Sequence, residues 1–136
     1  KVAGMRVPND ELGIVYRLDR RTALKNAPSA LIFKMLCSWM RKRLQEKGFV
    51  FTERVYGHVF TGSINESIVV RTLDQIRAGT SEFYFHPATA GADRNLEGRL
   101  IQNEREFSAL TSQEVRSRLD ELGFELTTYS GLSGLS

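Results

Sequence analysis

Residues 81–87 read Ser-Glu-Phe-Tyr-Phe-His-Pro, and this stretch predicts a β-strand that ends abruptly. Aromatic residues favour strands, and Pro87 has no backbone N–H to donate to a neighbouring strand. Successive side chains of a strand point to opposite faces, so one face is expected to be polar and the other to carry two phenylalanines. The polar face comprises Glu82, Tyr84 and His86.

The segments before this strand also show strand and helix patterns. Residues 2–7 and 55–60 have the composition of short buried strands. Residues 28–47 place apolar side chains at the spacing of one buried helical stripe. Pro28 suits the first turn of this helix, and Gly48 suits its end. The stripe is expected to comprise Phe33, Leu36, Cys37, Met40 and Leu44.

Residues 9–27 are polar and mixed, which predicts a loop with one helical turn at most. Capping boxes at 63–66 and 111–114 predict two helix starts, and helical spacing returns over 99–110. Residues 124–129 have the composition of a last strand. Alternation of strands and helices predicts a parallel sheet. Four strands are too few to close a barrel, so the sheet is either open and doubly wound or part of a larger barrel.

Composition excludes several classes of protein. The chain has 136 residues and a formal charge of +3, typical of one globular domain without a nucleic-acid-binding charge excess. Arg41, Lys42 and Arg43 splay around their helix and are interpreted as a solvated face. The single cysteine fits a reducing, cytoplasmic compartment, and no apolar stretch is long enough to span a membrane. Because the chain begins at Lys1 in strand-like sequence, we expect it to be a fragment.

Two histidines are available for chemistry, and they lie far apart in sequence. His86 ends its strand, and active sites of parallel α/β folds gather at the carboxyl ends of strands. From position alone, His86 is equally a proton-transfer residue or a residue that caps the strand end. His58 is interpreted as structural or solvated, and the two do not have the spacing of a metal site. Arg6, at another strand end, is expected near His86 or in a surface salt bridge.

Several segments together resemble the C-terminal half of YdjC-like carbohydrate deacetylases. The strand with His-Pro is followed by an acidic helix with Leu-Thr-Ser and by a segment that ends in Tyr, and the form of these segments is most similar to the hopanoid biosynthesis-associated HpnK branch. The matching segments are Met5–Pro8, Val55–Glu66, Ser81–Ala88, Asn103–Ser112 and Val115–Tyr129.

This resemblance implies an α/β fold in which the chain forms part of a TIM-like (β/α) barrel related to polysaccharide deacetylases. It implies hydrolysis of an N-acetyl group on an amino sugar or glycolipid, with His86 as the general acid. Arg6, Tyr84 and Glu106 are expected to bind substrate. For Glu106, a supporting role behind the site is also expected. A divalent metal, magnesium or zinc, is implied, but its family ligands are not in this sequence and are expected upstream of Lys1.

The resemblance makes residues 1–129 the C-terminal portion of one domain and residues 130–136 a flexible tail. Its partners are then the substrate and the missing N-terminal half, with no nucleic acid and no membrane span. We expect the isolated chain to be marginally stable and to form a homodimer or aggregate, because a half barrel exposes strand edges. The alternative is a standalone α/β binding or regulatory module without catalysis.

Overall fold

The computed structural model describes residues 4–8, 12–61, 63–89 and 97–132. These ranges contain both helices and short strands, which confirms the mixed α/β class predicted from the sequence. The elements in chain order are α1 (Leu12–Leu18), α2 (Arg20–Glu46), β1 (Arg54–Tyr56), α3 (Glu66–Leu73), β2 (Ser81–Phe83), α4 (Glu97–Leu110), α5 (Gln113–Glu121) and α6 (Tyr129–Leu132).

The two strands pair in parallel along their full length, as the alternating pattern predicted. A second parallel contact joins Gly4 to Val50, where the N–H of Met5 donates to the carbonyl of Val50 over 2.9 Å. This contact is the described part of the strand expected over residues 2–7. Residues 2 and 3 lie outside the described ranges.

Both strands are shorter than the sequence predicted. Strands are expected over 55–60 and 81–86, whereas β1 and β2 have 3 residues each. Gly57 ends β1 because its φ of +98° is in the left-handed region. A Cβ atom at Gly57 would lie 2.5 Å from the carbonyl oxygen of Tyr84, so glycine also allows the two segments to approach. The N–H of Tyr84 bonds the carbonyl of Tyr56 over 2.7 Å, which extends the pairing past β2.

The loop predicted over residues 9–27 was wrong for its described part, which forms α1 and the beginning of α2. The carboxylate of Asp19 accepts the N–H of Arg21 over 3.0 Å and so caps α2 well before Pro28. Pro28 therefore lies inside α2 and not in its first turn. Gly48 has a φ of +72° just past the end of α2, where the sequence predicted the stop.

The side of α2 that packs against the rest of the chain is narrower than predicted. Cys37 and Leu44 are buried and Met40 is half-buried. Phe33 and Leu36 are 44% and 58% exposed, so their placement in the buried stripe was wrong. The residues that Cys37, Met40 and Leu44 pack against are Val7, Phe49 and Phe51.

The caps of α3 and α5 lie one or two residues later than the capping boxes predicted. The side chain of Asn65 accepts the N–H of Ile68 over 3.0 Å at the start of α3, in place of Ser63. The hydroxyl of Ser112, in place of Thr111, accepts two N–H groups at the start of α5. Ser is a better cap than Thr, which accounts for the shift at α5. At α3 the hydroxyl of Ser63 instead donates to the carbonyl of Phe60 over 3.0 Å.

The last strand, predicted over 124–129, was wrong. Residues 124–128 are irregular, and the described residues place no strand beside them to which they could hydrogen-bond. α6 follows at Tyr129, and its Leu132 is buried. The domain boundary expected at 129 therefore falls at a helix, and residues 133–136 lie outside the described ranges.

The main core lies between α1, α3, α4 and α5, with the segment after β2 packed against it. Its buried members are Val15, Ala23, Phe60, Ile64, Val69, Leu73, Ala109 and Val115. Within the described ranges, no helix combines the length and the apolar character needed to cross a bilayer.

Candidate active site

The polar face predicted for residues 82–86 is present, although β2 ends at Phe83. The rings of Phe83 and Phe85 stack 4.7 Å apart and pack against the main core. The rings of Tyr84 and His86 meet edge to face at 4.5 Å. Alternation therefore continues beyond the regular strand and groups the polar side chains in one cluster.

Arg6 joins this cluster from the N-terminal segment. Its Nε donates to Oε1 of Glu82 over 2.6 Å, and its guanidinium lies 4.5 Å from the centre of the Tyr84 ring. The hydrogen bond to Glu82 raises the pKa of Arg6 above its ordinary value. The Arg6 side chain is 43% exposed, so it is both anchored by Glu82 and accessible to a ligand. Arg6 thus contacts Tyr84, whose ring in turn meets that of His86.

Tyr129 completes the cluster, and the sequence did not indicate it. Its hydroxyl donates to Oε2 of Glu82 over 2.5 Å, so each oxygen of that carboxylate has its own donor. Burial, together with this hydrogen bond, raises the pKa of Tyr129 to about 12. Tyr129 and Glu82 are 47 residues apart, and nothing in the local pattern of either predicts the contact.

Glu106 lies behind the cluster, on α4. Its side chain is 0% exposed, and its Oε2 accepts the backbone N–H of His86 over 2.5 Å. Among the described residues, its Oε1 has no hydrogen-bond partner. The N–H of Ala88 donates to the carbonyl of Asn103 over 3.2 Å. Two contacts with α4 therefore fix the backbone on either side of Pro87.

His58 lies at the edge of the same cluster. Its ring stacks with Phe33 of α2 at 5.7 Å and lies 6.5 Å from the Tyr84 ring. The two histidines, distant in sequence, thus both lie near the Tyr84 ring. The local sequence around His58 does not predict this position, because the approach of Gly57 to Tyr84 joins segments that are distant in sequence.

Comparison with known proteins shows the family of this chain. The sequence model described as "YdjC-like protein" matches residues 1–121. The chain belongs to the YdjC-like family. YdjC-like proteins are generally hydrolases of the carbohydrate deacetylase type. No curated protein and no solved structure gives a significant match.

The resemblance to YdjC-like proteins implies a divalent metal, which needs a group of His, Cys, Asp or Glu side chains as ligands. In the ranges that the structure describes, no three His, Cys, Asp or Glu side chains are grouped so that they could hold an ion. Glu106 accepts a hydrogen bond from the backbone N–H of His86. The described residues therefore do not form a metal centre by themselves.

A cavity of about 740 Å³ adjoins the cluster of this YdjC-like chain at Glu82. Its walls include Thr52, Tyr56 and Phe83 as well as Tyr129, but Tyr84 and His86 do not line it. The cavity is therefore separate from the surface formed by Tyr84 and His86.

Proposed function

We propose that this chain is the part of a carbohydrate deacetylase that carries the general acid, His86. The observation that carries the proposal is the position of His86 three residues past the carboxyl end of the parallel strand β2, with its backbone held by the buried Glu106. The carboxyl ends of parallel strands are where α/β enzymes gather catalytic groups. Family membership supports the reaction class.

The substrate class is an acetylated amino sugar, free or carried on a glycolipid. Hydrolysis breaks the bond between the acetyl carbon and the sugar nitrogen, and water supplies the oxygen that enters acetate. The nitrogen leaves as an amine only after it gains a proton, which His86 donates from its imidazolium form. Nδ1 of His86 is buried, so Nε2 is the nitrogen that meets the substrate.

The residues around His86 have different roles in this proposal. Tyr84 and the exposed side of Arg6 bind the sugar, because a phenol and a guanidinium donate hydrogen bonds to hydroxyl and carbonyl oxygens. Glu106 is fully buried, so its role is to position the His86 backbone and not to contact substrate. Glu82 positions Arg6 and accepts a hydrogen bond from the hydroxyl of Tyr129.

We extend the proposal to the whole enzyme on the strength of the resemblance. The parallel contacts β1–β2 and Gly4–Val50 support a contribution to a TIM-like barrel. Magnesium or zinc would be held by residues encoded upstream of Lys1, and the remaining half of the barrel would come from the same region. The His-Pro strand supports the HpnK branch, with hopanoid biosynthesis in the cytoplasm as the context.

The experiment that tests this proposal is acetate release from N-acetylated amino sugars. The upstream coding DNA is sequenced first, and the protein that includes both parts is assayed with magnesium, with zinc and with a chelator. We expect acetate release that the chelator abolishes. A start codon within a few residues of Lys1, or a two-part protein that releases no acetate from any N-acetylated sugar or glycolipid, would overturn the proposal.

A further inference from the structure

Helix α2 carries a wide apolar face that nothing in the described chain covers. Most of its large apolar side chains are more than half exposed, with Met35 at 71% and Trp39 at 62%. Met35 lies about 160° around the helix axis from Cys37, which is on the buried side. The exposed apolar face comprises Leu24, Leu31, Ile32, Met35, Leu36 and Trp39.

The same helix holds the positive charge of the chain. Seven of the 19 basic residues and one of the 16 acidic residues lie in α2, so the helix carries a charge of +6 and the remainder −3. Arg41 is turned inward, where its guanidinium donates to the carbonyls of Thr52 and Glu53. The other basic side chains are exposed: Arg20, Arg21, Lys25, Lys34, Lys42 and Arg43.

The charges and the apolar side chains are arranged along α2 in a definite order. Basic residues cluster at both ends of the helix, at 20–25 and 41–43, whereas the stretch between them contains only Lys34. The 15 residues between these basic ends, 26–40, are too few to span a bilayer. An exposed apolar face flanked by basic residues suits a helix that lies in the membrane interface. Tryptophan and basic residues are typical of such helices.

Charge also argues against a second copy of this chain as the occupant. Two α2 helices packed face to face would bring basic ends together whether they ran parallel or antiparallel. Glu46 is the only acidic residue in the helix that could offset this repulsion. An anionic lipid surface supplies both the apolar layer and the negative charge that the face lacks.

We propose that α2 docks this chain on an anionic membrane surface. Met35, Trp39 and their apolar neighbours enter the boundary between headgroups and acyl chains, while Lys25 and Lys42 contact lipid phosphates. This inference goes beyond the proposed deacetylase and rests on the exposure and charge of α2. Within the proposed two-part protein it requires that the upstream half leaves this face uncovered, so vesicle binding is measured both for this chain and for the protein that includes both parts.

Trp39 is the only tryptophan in the sequence, which gives a direct test. Its fluorescence is followed while the chain is titrated with vesicles of phosphatidylcholine, alone or with phosphatidylglycerol. We expect a blue shift with the anionic vesicles that is lost in high salt, since salt screens headgroup attraction. No response to vesicles, an equal response to both kinds, or a blue shift that follows protein concentration without lipid would overturn the proposal.

Paired variants separate the contribution of the basic side chains of α2 from that of its apolar side chains. K25Q/K42Q is expected to weaken binding to anionic vesicles about 30-fold. R77Q/R105Q, which removes two exposed charges outside α2, is expected to change it less than 3-fold. Met35→Gln is expected to weaken binding, whereas Leu126→Gln, at a site 66% exposed outside α2, leaves it unchanged. Equal effects within either pair would contradict the assignment of α2, and circular dichroism checks that each variant is folded.

Discussion

The backbone N–H of His86 donates to the buried carboxylate of Glu106 over 2.5 Å, across 20 residues of sequence. Glu106 thereby connects α4 to the end of the extended segment that carries Tyr84 and His86. A side chain that transfers a proton must be held within hydrogen-bond reach of the reacting atom. In this chain the backbone of His86 is fixed from behind, while its ring remains on the polar face.

Removal of Glu106 is expected to destabilise the fold. Glu106→Ala leaves the part-buried N–H of His86 without its acceptor, which costs about 1–3 kcal/mol in the free energy of unfolding. Glu106→Gln keeps an acceptor oxygen and should cost less. Denaturant unfolding measures both, with Glu104→Ala on the same helix as the control. Equal losses for Glu106→Ala and Glu104→Ala would contradict the positioning role.

The pair formed by Arg6 and Glu82 is expected to show measurable coupling. A double-mutant cycle with Arg6→Gln and Glu82→Gln should give about 0.5–1 kcal/mol, because Glu82 is mostly buried and the geometry allows two contacts. The control pair, Arg116 and Asp120, is more than half exposed on both sides and should couple less. A coupling for Arg6 and Glu82 no larger than that of the control would show that the pair does not anchor Arg6.

Tyr129 is expected to make the free energy of unfolding depend on pH in the alkaline range. Its pKa is about 12 in the folded chain, against about 10 for an ordinary tyrosine. The raised pKa contributes stability that is fully present below pH of about 10 and is lost as the pH rises towards 12. Over this pH range, the free energy of unfolding should therefore fall less steeply for Tyr129→Phe than for wild type. For the exposed Tyr16→Phe it should fall as steeply as for wild type. Parallel curves for wild type and Tyr129→Phe would contradict the burial of the Tyr129 hydroxyl and its contact with Glu82.

Gly57 is expected to tolerate substitution less well than Gly48. Both have positive φ, so alanine at either position carries the cost of the left-handed conformation, about 1–2 kcal/mol. A Cβ atom at Gly57 also meets the carbonyl of Tyr84 at 2.5 Å, whereas the surroundings of Gly48 are open. The midpoint temperature of thermal unfolding should be lower for Gly57→Ala than for Gly48→Ala. The reverse order would mean that the segment beside Tyr84 is not held as described.

The sequence predicted features that depend on local chemistry. Side-chain alternation placed Tyr84 and His86 together, and Gly48 marked the end of α2. Prediction from the sequence failed where another residue determines the end of an element. Asp19 caps α2 before Pro28, and Gly57 ends β1 early. Contacts across the chain, such as that of Tyr129 with Glu82, have no local signal. Resemblance to the family nevertheless drew attention to Glu106, whose burial and contact only the structure shows.

The most direct measurement is the turnover of the deacetylase, with its upstream part present, after His86→Ala. Loss of a general acid should lower kcat about 10²- to 10⁴-fold, with the fold retained. His58→Ala, which removes the other imidazole beside Tyr84, should leave kcat within a few-fold of wild type and serves as the matched control. Near-wild-type turnover of His86→Ala, or an equal loss in both variants, would contradict the role of His86 as the proton donor.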